Sequence, residues 1–206
     1  SHGVWAFEEN GVRSFLILGT NRALLLDTGW GTYDLQSEIK KLTSLPITLV
    51  LTHSDIDHIG LNEHFKADAW AHPAEFLSLA KKTPGITYHR AEDGQVFDLG
   101  GRSLKVIHCP GHTPGSIALL DEANGILFPG DIVSEATIFM FGEGRNFNEF
   151  IASQKRFKQL KNTVKTIYPC HGPCPIEPDG IYDELAELAA RVIAGEKVTE
   201  VEHMVF

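Results

Sequence analysis

Residues 50–60 read Val-Leu-Thr-His-Ser-Asp-Ile-Asp-His-Ile-Gly and place His53, Asp55, Asp57 and His58 within six positions. Imidazole and carboxylate groups are metal ligands. An apolar run over 47–51 leads straight into them, so a buried strand is expected to end here and deliver polar groups to the rim of a core. A solvated loop also carries Asp and His, but rarely four such groups at this spacing directly after a strand. The same step from apolar run to polar group recurs at Asp27, His112, Asp131 and His171. Strands of one sheet can bring their ends together along one edge, where loops build a site on a rigid scaffold. Seven potential ligands gathered there would be costly to bury unpaired, and a metal centre resolves that cost. Two ions fit better than one, because a tetrahedral ion takes four ligands.

The elements that must position these groups follow from hydrophobic periodicity. Segments 12–19 and 22–27 read as a hairpin turned at Thr20-Asn21, the second strand apolar throughout. A helix is expected over 33–43, with Leu35, Ile39 and Leu42 on one face, followed by the strand 47–52. A short helix over 61–66, a strand over 67–71 and a helix opened by Pro73 come next, and 86–94 reads as irregular. Strands are expected over 95–98, 102–108, 117–121 and 125–128. The loop 109–116 around His112 is shaped by two prolines and two glycines. Residues 132–145 read as a loop, and Asn146 with Glu149 as a capping box for a helix over 147–161. A last strand over 164–168 and a helix over 178–194, stopped by Gly195, complete the pattern. Strand-rich and helical stretches mix through both halves, so one α/β sandwich domain over 1–206 is expected.

Composition narrows the class. With 43% hydrophobic and 22% charged residues this is an ordinary globular chain, and no apolar run is long enough to cross a bilayer. A net charge of -9 argues against a nucleic-acid partner, since phosphate contacts need Lys and Arg. Three cysteines do not form a secreted disulfide framework, and a cytoplasmic setting with reduced thiols is expected. Nothing in the pattern specifies an oligomeric state.

With five motifs in order, the chain resembles the metallo-β-lactamase-fold superfamily, whose members include glyoxalase II, lactonases, tRNase Z and flavodiiron proteins. The matching stretches are Leu-Leu-Asp27-Thr-Gly, Thr-His53-x-Asp55-x-Asp57-His58-Ile-Gly, Pro-Gly-His112-Thr-Pro-Gly-Ser, Gly-Asp131 and the final His171. The resemblance implies a four-layer αβ/βα sandwich with two divalent metal ions at one edge of the paired sheets. It implies a first ion held by His53 and His112, with Asp55 standing where the family has a second His. A second ion would take Asp57, His58 and His171. Asp131 would bridge the two, and Asp27 would support the ligand loops from behind. The departure at Asp55 leaves three readings: a ligand, a group holding a water, or a group holding a neighbour. As a ligand it shifts preference from zinc towards iron or manganese.

The activity so implied is hydrolysis of an ester, thioester, lactone, amide or phosphoester bond in a small-molecule substrate. A metal-activated hydroxide is the nucleophile, and Asp57 orients it and shuttles its proton. The alternative is a di-iron protein handling oxygen or NO with a separate electron donor, suggested by Asp55. A third reading is a non-catalytic metal-binding scaffold. His2, His64, His72, His89 and His203 are read as surface or capping groups, His108 as structural, and Cys109 and Cys170 as packing. Phe139, Met140 and Phe141 are either core or a substrate wall. Specificity is expected in loops 30–34, 84–94 and 132–146.

Overall fold

A computed structural model describes residues 3–65 and 68–197. The first sheet holds β1 (Val4–Glu9), β2 (Val12–Leu18), β3 (Ala23–Leu26), β4 (Ile47–Val50), β5 (Ala69–Ala71) and β6 (Tyr88–Arg90) in that spatial order. The second holds β7 (Val96–Asp98), β8 (Ser103–His108), β9 (Ile117–Asp121), β10 (Ile126–Phe128) and β11 (Thr166–Ile167), ordered β11-β10-β9-β8-β7. Helices α1 (Leu35–Leu42), α2 (Ile56–Ile59) and α3 (Phe76–Lys82) follow strands of the first sheet, and α4 (Phe147–Lys158) and α5 (Ile181–Ile193) cover the second.

The four layers follow from the period-2 alternation of the strands. Phe15 and Ile17 of β2, Leu24 and Leu26 of β3, and Ile117 and Leu119 of β9 point between the sheets into one cluster. The intervening Leu16 and Leu25 pack outward on Leu35, Ile39 and Leu79 of α1 and α3. Ala118 and Leu120 pack outward on the other side, against Phe150, Phe157 and Ile181 of α4 and α5. The central strands β3 and β9 are therefore apolar on both faces, and the fold is the α/β sandwich expected from the sequence.

Connectivity sends the strand ends to one edge. β3 and β4 run parallel, with Leu26 beside Val50, so Asp27 and Thr52-His53 leave the first sheet together. β10 and β11 are parallel in the second sheet and send out Asp131 and His171 on the same side. The sheets are joined there: Ile117 N donates to Thr52 O at 2.9 Å, and Val12 pairs with His171 across an isolated bridge.

Several expectations shift in detail. β1 and β6 were not expected, and both are edge strands, where fewer apolar residues are needed. The helix over 61–66 is a 3-10 turn, Asn62–Phe65, and the strand over 67–71 is described only as Ala69–Ala71, Lys66 and Ala67 lying outside the described residues. The last strand shrinks to Thr166–Ile167. Asn146 caps α4 by accepting from Asn148 N and Glu149 N, but its own N–H donates to Gly111 O rather than to Glu149, so the box is only half formed. That bond ties α4 to the His112 loop. Gly111 is required there: its φ is 134°, and a Cβ would lie 2.4 Å from Phe150 N. Among the described residues no helix is long and apolar enough to cross a membrane.

Candidate metal centre

The loops gather all seven expected ligands, as two triads with Asp131 between them. In the first, His53 Nε2 lies 3.2 Å from His112 Nε2 and 3.5 Å from Asp55 Oδ2, and His112 Nε2 lies 3.2 Å from the same oxygen. In the second, Asp57 Oδ2 is 3.3 Å from His171 Nε2 and 3.7 Å from His58 Nε2. Asp131 faces both: Oδ1 is 3.3 Å from His58 Nε2, and Oδ2 is 3.2 Å from His171 Nε2 and 3.7 Å from His112 Nε2. Ligands about 2.0–2.1 Å from a tetrahedral ion stand about 3.3 Å from one another. The first triad has that spacing and the second comes near it, its ligand atoms all within 4.8 Å of one another, so each could hold a cation. The buried atoms His58 Nε2 and Asp131 Oδ1 also have no hydrogen-bond partner, and both face the gap between the triads.

Three of the four imidazoles are aimed from behind, the exception being His112, whose buried Nδ1 has no hydrogen-bond partner. His58 Nδ1 is 2.8 Å from Asp27 Oδ2, His171 Nδ1 is 2.9 Å from Gly11 O, and His53 Nδ1 is 2.9 Å from Thr52 Oγ1. Thr52 Oγ1 donates to Asp27 Oδ2 at 2.7 Å, so it accepts from His53. In each of these three rings the outer nitrogen is taken up by its partner, which leaves Nε2 as the atom turned to the site. Asp27 is fully buried, and its other oxygen accepts from Thr52 N at 2.7 Å. Its φ of 61° is a left-handed conformation that Asp tolerates better than most residues. This one carboxylate therefore positions ligands on both sides, directly at His58 and through Thr52 at His53.

The charges oppose one another across the site. Burial pushes Asp131 up, but His58 and His171 outweigh it and hold its carboxyl well below the usual range. Burial opposes charge on His171 too, yet Asp131 and Asp57 push the imidazole up to about 10. Burial opposes charge on His58, and Asp131 and Asp27 hold it well above its ordinary value. The carboxylates that draw protons onto these rings would also draw a metal ion.

Two contributors were not expected from the sequence. Thr52 links Asp27 to His53, and a hydroxyl directly before a ligand was its only signal. Arg145 Nη2 lies 2.5 Å from Asp55 Oδ2, across 90 residues of chain, with no spacing signal at all. Burial pushes the Asp55 carboxyl up, but His112, His53 and Arg145 hold it far below the usual range.

The remaining expectations sort as follows. His72 caps a 3-10 turn by accepting from Ala74 N, and His89 pairs with Asp68 at 2.8 Å. His108 stacks on His72 and bonds Pro114 O. His2 and His203 lie outside the described residues. Cys109 packs in a core cluster. Cys170 packs too, but its Sγ is also 3.7 Å from Asp27 Oδ2, behind the second triad. Met140 packs beside the α4–α5 cluster, whereas Phe139 and Phe141 are 49% and 66% exposed.

Comparison with known proteins agrees with this geometry. Residues 8–171 match the family described as the Metallo-beta-lactamase superfamily. The chain is 28% identical to an acyl-coenzyme A thioesterase, MBLAC2 of Gallus gallus, over 80% of this chain and 74% of that protein. It is 27% identical to the hydroxyacylglutathione hydrolase GloC of Haemophilus influenzae, over 76% of this chain and 82% of that protein. Among solved structures, a metallo-beta-lactamase from Pontibacter korlensis superposes with a TM-score of 0.74 at 20% identity, covering 91% of this chain and 93% of that one. At that identity the likeness speaks for the fold.

Proposed function

Because the chain belongs to the metallo-β-lactamase superfamily and is a hydrolase of that fold, we propose that it cleaves thioesters of a small thiol carrier at a two-metal centre. The observation that carries the two-metal part is the sharing of Asp131 between two triads of ligand spacing. His53, Asp55 and His112 would hold one ion, and Asp57, His58 and His171 the other. Bound there, divalent cations would lower the pKa of water and polarise the acyl carbonyl. The thioester part is supported by the names of two relatives, which share an acyl group carried on coenzyme A or glutathione.

The protein's own groups have separable tasks. Asp57 turns Oδ2 towards the gap between the triads and is the group placed to orient the attacking water and accept its proton. Asp131 keeps the inner faces of His58 and His171 at fixed separation. Asp27 and Thr52 hold the ring planes, so little reorganisation is needed during reaction. Asp55 adds an oxygen where an imidazole would be softer. That supports zinc at the second triad and leaves a harder ion, manganese or iron, a contender at the first.

The test is metal analysis of protein purified without added metal, followed by turnover of one acyl group carried as a thioester and as an oxygen ester. Two ions per chain and thioester turnover are expected. Asp57→Asn should lower kcat by about 10²–10⁴. Iron at both triads with oxygen consumption and no thioester turnover would replace this reading with a redox one.

A further inference from the structure

We propose that the cleft running from Asp55 between α3 and the 137–145 loop receives the thiol half of the substrate, and that this half is anionic. The inference rests on the thioester reading above. The cleft measures about 500 Å³ and opens directly beside the first triad, so one side of the scissile bond must lie in it or over it. Lys81 and Lys82 line one wall, and Phe141 and Arg145 the other.

Charge decides which half of the substrate fits. Three cationic side chains, Lys81, Lys82 and Arg145, line the cleft with three carboxylates, Asp55, Glu75 and Glu143, so what matters is which charges are already paired. Arg145 is engaged by Asp55. Lys82 Nζ donates to a neutral acceptor, Ser54 O, at 2.6 Å. Lys81 is exposed and has no carboxylate partner among the described residues. Two carboxylates besides Asp55 border the cleft. Glu75 is buried and accepts from Gly115 N at 2.7 Å, so it is committed to the His112 loop. Glu143 is exposed. Lys81 and Lys82 therefore carry charge that no carboxylate pairs among the described residues, Lys82 beside Asp55 through its bond to Ser54 O and Lys81 next to it on α3.

The rim supplies a second feature. Leu77 and Phe141 are 71% and 66% exposed on opposite walls, leaving large apolar groups in water next to the cations. A thiol arm that is partly apolar and carries an anion matches the apolar and cationic groups that share this cleft. Simple acyl groups are neutral, whereas small thiol carriers end in phosphates or carboxylates. The shared chemistry recognised is thus an anion at the end of a thiol arm, with long-range attraction adding to capture.

The experiment compares kcat/KM of the metal-loaded protein for one acyl group on three thiols: coenzyme A, which carries phosphates, glutathione, which carries carboxylates, and neutral N-acetylcysteamine. At least one anionic thioester should be preferred over the neutral one, and the preference should shrink as salt rises. Preference for coenzyme A assigns the lysines to phosphate, and preference for glutathione assigns them to carboxylate. Lys81→Glu should cut the anionic-to-neutral ratio by about three- to tenfold, through KM. Lys155→Glu, a charge reversal of an exposed α4 residue outside the cleft, controls for net charge and should leave the ratio unchanged. Equal efficiency on all three thioesters, or a ratio that Lys81→Glu does not move, overturns the inference while leaving the thioester reading intact. No turnover of any of the three, the neutral one included, overturns both.

Discussion

Arg145 Nη2 and the nitrogens of His53 and His112 converge on a single oxygen, Oδ2 of Asp55, at 2.5, 3.5 and 3.2 Å. A cation in the first triad would therefore share its carboxylate ligand with a guanidinium. Unit charges about 4 Å apart repel by about 4 kcal/mol at the effective dielectric of a protein surface, and a divalent ion doubles that before solvent and salt reduce it, so Arg145 should weaken metal binding there. Arg145→Gln is expected to tighten the first site by about tenfold, read by competition with a chelator. Looser binding in the variant would mean instead that Arg145 serves to hold Asp55 in position.

Asp55→His restores the residue that the family pattern has at this position. It adds a softer nitrogen and removes a negative charge, so zinc occupancy of the first triad should rise relative to manganese and iron. Metal content of both proteins, purified side by side, checks this. If identity and stoichiometry are unchanged, Asp55 is not a ligand, and the case for a harder ion at the first triad is lost.

The residues of the candidate site were legible because every expected ligand follows an apolar run or sits in a Pro/Gly-shaped loop, both of them local signals. Asp27, His53 and Asp131 could be placed at strand ends from such signals alone. The partner of Asp55 could not, because Arg145 reaches it only through the packing of a loop 90 residues away. The sandwich was legible in the mixing of strand-rich and helical stretches through both halves, and in β3, whose continuous apolar run requires cover on both faces. The edge strands were not. β6 is only Tyr88–Arg90, with no fully buried side chain, and its pairing with β5 depends on the sheet already being present. The lysines of α3 also gave no pattern, since their charge matters only beside the cleft.

Asp27→Asn tests how far ligand aim depends on a buried carboxylate. Asn accepts the left-handed backbone at φ 61°, so the loop should keep its path. The amide has only one oxygen to receive the bonds from Thr52 N, Thr52 Oγ1 and His58 Nδ1 that two now receive. Metal affinity is expected to fall by about 10–100-fold, chiefly at the triad containing His58. Chelator competition measures the loss. An unchanged affinity would reduce Asp27 to a structural group.

His72 gives the protein a pH dependence separable from its metal ligands. Its ring stacks on His108 with centroids 3.9 Å apart and planes 6° from parallel, and its Nδ1 accepts from Ala74 N. Burial, then the neighbouring imidazole, push its pKa down. A histidine whose pKa is lowered on folding adds stability above its unfolded value, about 6.5, and that stability is lost as pH falls through the folded value. Protonation at Nδ1 would also remove the acceptor that caps Pro73–Glu75, the turn whose Glu75 holds Gly115. His72→Asn keeps an acceptor at the cap and cannot titrate. As pH is lowered from 7.5 to 5 at fixed metal content, the variant should lose less Tm than the wild type, by about 2 °C. Parallel Tm–pH curves for the two proteins would show that the stacked pair carries no proton-linked stability.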